Sequence, residues 1–569
     1  MASTDPSKLE SAKATSGTVA HTEYNGTGTY VPDVELVEAA VAAGEEEARQ
    51  GRKALFAMYG PAVIYSCLLS LALVMEGMDV GLINNFFAHP SYKKKFGWGE
   101  GPDGLPFIPA DWQTGIGLGN NAGSIIGLLL NGYLQSRFGS RRVYMGAMAL
   151  MACTIFVLFF ATSVEILLVG NLLCGIPWGI FQTLTTAYAA EICPASIRGY
   201  LTAWVSMCWG AGSFLATGVL RGSIGLPGDA GWRVPYGVQW VWVPPLFAVA
   251  YFCPESPWYL VRRGRIEDAE HALRRLARKG HYTDESMRQT IALMKHTNEM
   301  EKLEAENASY MDCFRGTNLR RTGIVCMAWV IQILNGQSIT NYAAIMLKAV
   351  GMSDKNAFNY NMGIQSVNIF ATALAIALMG TIGRRTFYFY GSTGIGLSML
   401  IVGALGFAQM NPDTRAIVVA VFLVIVQCIF KVSLGPTTYV VVGEVASNRV
   451  RAQTIVLGRA VYVCGQIIVQ VLNPRFLNNT KGAWGLGAKT GIFYFSLCCI
   501  WAVWIFFFLP ETKNRTFADI DYLFKKKTNA RKFTTTPIDL FEFNPPQEKL
   551  RYEEDEAQAP VEVAENRRA

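Results

Sequence analysis

Apolar runs of about 20 residues recur twelve times along this 569-residue chain, and each is long enough to cross a hydrocarbon core about 30 Å thick. They fall near 57–83, 112–135, 143–163, 167–190, 201–220, 236–253, 322–346, 358–380, 387–408, 415–441, 453–472 and 489–509. The pattern predicts an all-α membrane protein with twelve transmembrane helices. Charged residues make up 16% of the chain, against roughly 25% in soluble domains. The net charge of +7 sits largely in particular loops, so it reports topology and does not call for nucleic acid. Arg137, Arg141 and Arg142, then Arg198, Arg384 and Arg385, and Arg449 and Arg451 all follow even-numbered spans. That side, with both termini, is predicted to be cytoplasmic.

A polar segment, 254–320, splits the spans six and six. The expected organisation is a disordered N-terminal tail (1–54), a six-helix bundle (55–253), a cytoplasmic linker with short amphipathic helices (254–320), a second bundle (321–510) and a C-terminal tail (511–569). Twelve cysteines without a Cys-x-x-Cys pair, and five scattered histidines, give no disulfide framework and no metal site. No Walker motif and no nucleophile–base constellation stand out, so neither an enzyme nor a cofactor is expected.

The halves echo each other. "EICPASIRG" from Glu191 and "EVASNRVRA" from Glu444 each place Glu and Arg seven residues apart: Glu191 with Arg198, Glu444 with Arg451. "GYLQSRFGSRR" (132–142) answers "GTIGRR" (380–385), and "PESP" (254–257) answers "PETK" (510–513). Two kindred bundles suit a carrier that rocks about a site held between them. The loop pairs, with Arg137, Arg141, Arg384 and Arg385, are expected to act as gating ion pairs at the cytoplasmic face.

Polar groups inside the spans mark the candidate site. Glu76 and Asp79 in "LALVMEGMDVGLINN" share a helix face. A mid-helix carboxylate costs about 2.5–3.5 kcal/mol, which turns such a face toward a cavity or a cation. A group that can neutralise itself with a proton suits proton coupling, and capping a helix in the outer mouth is the plainer alternative. Arg459 in span 11 and Lys431 in span 10 are the candidate cations, with snorkelling to an interface as the alternative for each. Lys431 is placed to pair with Glu76 or Asp79, or to hold an anionic substrate. As candidate groups for binding a hydroxyl-rich ligand, "QILNGQSITNY" in span 7 supplies Gln332, Asn335, Gln337, Ser338, Asn341 and Tyr342. Trp178 and Gln182 in span 4 and Asn368 in span 8 join them. Amides and aromatic faces match hydroxyls and C–H faces, while structural bonds between helices are the alternative.

"PESPWYLVRRGR", "PETKNRTFADIDYLF", the Glu–Arg pairs and the "GSRR/GRR" copies resemble the sugar porter branch of the major facilitator superfamily. "GIPWGIFQTLTTAYAAEICPASIRGYLTAW" with "WGLGAKTGIFY" resembles the fungal maltose and α-glucoside permeases within it. The resemblance covers roughly 55–535 and implies two pseudo-symmetric six-helix bundles. It further implies uptake of an α-glucoside such as maltose with a proton across a fungal plasma membrane. The implied partners are the sugar, the proton and lipid, with no protein partner required. Departures are Ser136 and Gly380 for Asp in the loop motif, Asn171 for the arginine of span 4, Gln332-Ile333 for Gln-Gln, and Tyr439 for Trp. Other readings are uptake of another glycoside or an acidic disaccharide such as cellobionic acid, motivated by Lys431, and an uncoupled facilitator, motivated by Asn171. A non-transporting sensor is a third, against which the modest tails argue.

Overall fold

The computed structural model describes residues 52–99, 106–193, 195–306, 310–349, 352–378, 382–447, 450–477, 483–513, 515 and 517–536. Most of the two expected tails, Gly380, Arg449 and the side chain of Arg198 lie outside the described residues.

All twelve predicted spans are helical. Span 1 is Gly60–Phe86, span 2 Ala110–Phe138, span 3 Ser140–Phe159, span 4 Val164–Ile192 and span 5 Ala195–Ser223. Span 6 is built from Ala230–Gly237, a 3₁₀ turn at Val238–Trp242 and Val243–Phe252. Span 7 joins Gly316–Ile333, a 3₁₀ turn at Gln337–Tyr342 and Ala343–Ala349. Span 8 is Asp354–Leu378 and span 9 Arg384–Leu405. Span 10 is Pro412–Val432 followed by Leu434–Val445, span 11 Arg451–Leu477 and span 12 Thr490–Phe508. Eight of these are long and apolar enough to cross a membrane on hydropathy alone. Among the others, span 2 carries "GNNAGS" and span 8 "NYNMGIQSVN", polar stretches in which Asn120, Asn361, Gln365 and Asn368 are buried.

Two compact units emerge. In one, the helices Pro257–Arg262, Ile266–Leu276 and Asp284–Glu306 bury Leu260, Ala269, Leu273, Met287 and Ile291 against one another. The helix Arg52–Met58 belongs to this unit, its Met58 carbonyl accepting from the Arg278 amide at 2.9 Å. The amphipathic pattern of "IEDAEHALRRL" explains the arrangement, since its apolar stripe needs a partner.

The other unit, 63–253 with 308–569, holds both bundles. Span 1 packs on span 5 as span 7 does on span 11, and span 2 on span 4 as span 8 does on span 10. Span 3 meets span 6 as span 9 meets span 12. The same symmetry joins the halves, through spans 5 and 8 and through spans 2 and 11. Spans 2 and 4 touch through glycine: a Cβ at Gly123 would lie 2.0 Å from the Leu172 carbonyl oxygen. Small residues let helices approach closely where lipid offers no hydrophobic drive.

Candidate functional site

A cavity of about 240 Å³ lies between the halves. Its first wall carries Glu76. Gln182 Nε2 donates to one carboxylate oxygen, and the Trp209 indole N–H donates to the other at 3.1 Å. The Arg459 guanidinium of span 11 donates to Gln182 Oε1 at 3.3 Å and lies over the Tyr462 ring, 4.5 Å from its centroid. Gln182 thus links a carboxylate of one half to a cation of the other. An amide suits this place because it donates at one end and accepts at the other.

The opposite wall is an amide lattice. Gln427 of span 10 accepts from Gln337 Nε2 at 3.1 Å and from the Thr340 hydroxyl at 2.8 Å, and its own N–H donates to Asn368 Oδ1. Asn368 Nδ2 donates to Gln365 at 2.7 Å. Two helix breaks open beside it. Span 7 unwinds at Asn335–Gly336, where Gly336 takes φ +93°, a conformation that favours glycine. Span 10 breaks at Ser433. Gln332 Nε2 ties the breaks together by donating to the Gly435 carbonyl at 3.2 Å. Broken helices of this kind line sites in membrane carriers, because freed backbone groups need protein or water as partners.

Of the proposed coupling residues, Glu76, Arg459 and Lys431 line the cavity. Asp79 is fully buried behind the wall, where its carboxylate accepts from Trp178 at 2.7 Å and Gln239 at 3.1 Å. Lys431 makes no ion pair to Glu76 or Asp79 in this conformation; its nearest described partner is the Phe430 ring at 5.9 Å. Asn171, at the place of the expected arginine, donates to the Leu167 carbonyl at 2.7 Å.

Of the proposed sugar ligands, Gln182, Gln332, Gln337, Asn341 and Asn368 line the cavity. Trp178 serves Asp79 instead. Asn335 caps the 3₁₀ turn by accepting from the Gln337 amide at 2.9 Å, and Ser338 accepts from Asn473 at 3.4 Å. Tyr342 is buried beside them. The shared face read for Gln332, Asn335 and Ser338 requires an unbroken helix, and the turn at Gly336 rotates the last two away. Sequence reasoning missed Trp209, Gln239, Gln365 and Gln427. For Gln365 and Gln427, a polar side chain inside an apolar run was the available signal.

At the basic end, Glu444 pairs with Arg384 at 3.0 Å and accepts from Thr512 at 2.6 Å, while Arg451 donates to the Gly443 carbonyl at 3.2 Å. The ion pair of Glu444 runs to Arg384 in the loop motif of span 9. Glu511 accepts the Arg384 and Arg385 amides at 2.8 and 3.2 Å, an acid at a helix N-terminus. Arg385 donates to the Phe506 carbonyl at 2.6 Å. Arg321, also unanticipated, binds Asp521 and the Val445 carbonyl, pinning the tail helix Phe517–Lys525. In the first half Arg137 donates to Tyr133 at 2.9 Å and Arg141 lies over Tyr251 at 5.2 Å, while Glu191 is half-buried.

Residues 66–524 match the family described as "Sugar (and other) transporter". A general alpha-glucoside permease of Saccharomyces cerevisiae is 33% identical over 503 residues, covering 88% of this chain and 81% of the permease. A maltose permease of the same yeast is 34% identical over 551 residues, covering 94% and 88%. The inward-open xylose transporter XylE of E. coli shares the fold with a TM-score of 0.65 at 21% identity, covering 80% of this chain and 98% of XylE. The chain belongs to the sugar transporter family, and it is a multi-pass membrane carrier of the major facilitator fold, not an enzyme.

Proposed function

We propose that this carrier takes up an α-glucoside such as maltose together with a proton, by alternating access. The observation that carries the reading is the chain Glu76–Gln182–Arg459, which joins a titratable acid to a cation across the two halves. In the cycle, an outward-open cavity admits sugar and a proton. The proton neutralises Glu76 and loosens its hold on Gln182, whose amide then turns to a sugar hydroxyl. Gln337, Asn341 and Asn368 supply further hydrogen bonds, and Tyr439 and Tyr462 supply ring faces. Binding energy favours closure around the sugar and opening to the other side. The ion pair Glu444–Arg384, with the Glu511 cap, braces spans 9, 10 and 12 of the second half at the basic face. That face is cytoplasmic and so are both termini, and the membrane is the fungal plasma membrane.

The α-glucoside and maltose permease relatives support the substrate class, and span 7 amides facing the cavity suit a polyol ligand. A second reading, facilitated diffusion, is favoured by Asn171 standing where the resemblance expects an arginine. One experiment separates the two. Purified protein in sealed vesicles is given an alkaline interior and radiolabelled maltose. Accumulation above the outside concentration, abolished by a proton ionophore, is expected. Equilibration without accumulation, indifferent to the ionophore, establishes the facilitator instead.

A further inference from the structure

Three charged side chains line the cavity among the described residues: Glu76, Arg459 and Lys431. Two of them are engaged. Glu76 receives Gln182 and Trp209, and Arg459 bonds Gln182 and lies over Tyr462. Through Gln182 their opposite charges offset each other. Lys431 is different. It sits in the last turn of Pro412–Val432, just before the break at Ser433, and among the described residues it has no hydrogen bond or ion pair. An ionisable residue within a span normally pairs with another group or marks a substrate path. The carbonyl end of the half-helix offsets part of its charge, and the Phe430 ring at 5.9 Å adds little. The cavity is therefore one positive charge in excess with Glu76 ionised, and two with Glu76 protonated.

We infer that Lys431 forms a carboxylate subsite, so that the carrier accepts a glycoside bearing one acid group, such as a disaccharide aldonic acid, alongside neutral sugars. This rests on the uptake reading above. The amides of span 7 would take the hydroxyls, and the ammonium, one turn before Gly435 and Pro436, would take the acid end. A single flexible ammonium suits a monoanion. A phosphate or a second carboxylate would call for the fork of an arginine or for a cluster of cations. Charge balance follows from the same geometry. One proton on Glu76 entering with one carboxylate moves no net charge, whereas one proton with a neutral glucoside moves one positive charge.

The test uses purified protein in vesicles with an alkaline interior, with maltose and maltobionate as probes. The expected result is that maltobionate competes with maltose and accumulates, and that an imposed membrane potential drives maltose but not maltobionate. In Lys431→Met the ratio of maltobionate to maltose uptake should fall by at least about tenfold, as when one partner of a desolvated charge pair is truncated. Lys431→Arg should restore most of it. Maltose accumulation with no entry or competition by maltobionate in the unaltered protein overturns the subsite and leaves the uptake reading standing. So does an unchanged ratio in Lys431→Met. If neither sugar accumulates, the uptake reading fails and the subsite falls with it. Should Lys431→Met not fold, the competition measured on the unaltered protein decides.

Discussion

The wall built by spans 1, 4 and 5 carries a carboxylate met by an amide and an indole; the wall built by spans 7, 8 and 10 carries amides bonded to one another. In the first, Glu76 has one donor for each oxygen and a cation one residue further off. In the second, Gln337, Thr340, Asn368 and Gln365 are held in orientation through Gln427. A lone acid with neutral neighbours can change charge with little rearrangement. A closed amide lattice cannot change charge, but it presents donors and acceptors in fixed directions. On the proposed uptake reading, the difference gives proton handling to one half and sugar recognition to the other, with Gln182 as the contact between them.

Glu76→Gln attacks the first wall and should have the largest effect. It preserves shape and the possibility of a bond to Arg459 through Gln182, but it removes the titration. Under an imposed pH difference the inside-to-outside maltose ratio should fall to about one, the value for a carrier that only equilibrates. Exchange of labelled for unlabelled maltose should continue. Retained accumulation in this variant would move the coupling to Asp79 or elsewhere and break the division of labour.

Gln427→Leu attacks the second wall. It leaves a Gln337 donor and the Asn368 carbonyl oxygen without their partner in a buried place, which costs about 1–3 kcal/mol. Maltose KM should rise roughly tenfold, while the accumulation ratio at saturating sugar stays dependent on the pH difference. A loss of accumulation with unchanged KM would show that the lattice serves coupling.

These two residues also mark what the sequence made legible. The length of each apolar run fixes the spans, because lipid leaves the backbone no alternative to a helix, and the paired loop motifs make the two-fold repeat visible. Glu76 stood out because an acid in an apolar run is expensive. Gln427 gives a weaker signal, a single neutral amide in "VIVQCIFK" whose partners lie 59 to 90 residues away. Asp79 shares a helix face with Glu76, which in the sequence points both toward a cavity, yet the structure buries Asp79 behind the wall. Its partners, Trp178 and Gln239, come from spans 4 and 6, and packing between helices carries no local signal. The span 7 turn was partly visible in Gly336, but the rotation it imposes on Asn335 and Ser338 depends on the angle the chain adopts there.

Gly336→Ala sharpens the comparison at the edge of the amide wall. A Cβ at this position would lie 2.8 Å from the Tyr494 Cβ, on a backbone at φ +93°. The left-handed conformation alone costs roughly 1–2 kcal/mol for a residue with a Cβ. Displacement of the turn shifts Gln337 against Gln427, so KM should rise by several-fold, less than in Gln427→Leu. An unchanged KM would mean that the turn moves without disturbing the lattice.

The smallest effect is expected where the halves meet at the end opposite the basic loops. There Asn361 Nδ2 donates to Asn85 Oδ1 at 2.8 Å, Lys348 donates to the Ala88 carbonyl at 3.1 Å, and Arg221 donates to Asn359 at 2.8 Å. His89, just past span 1, is fully buried at this seam, 3.1 Å from the Ser223 hydroxyl and edge-on to Phe358 of the other half. Burial pushes its imidazole down to about 4 from the usual 6.5; Asp354 opposes that shift and Lys348 adds to it. The unfolded chain therefore binds a proton that the folded seam refuses between these two values. Stability from this residue is complete above the unfolded value and is lost as pH falls toward the folded one. At about pH 5.5 the loss should be about 1 kcal/mol relative to neutral pH. Thermal unfolding in detergent should show a midpoint that drops on acidification, and His89→Gln should flatten this part of the profile. An equal acid-induced drop in His89→Gln would place the sensitivity on other groups and remove His89 from the account of how the two halves close.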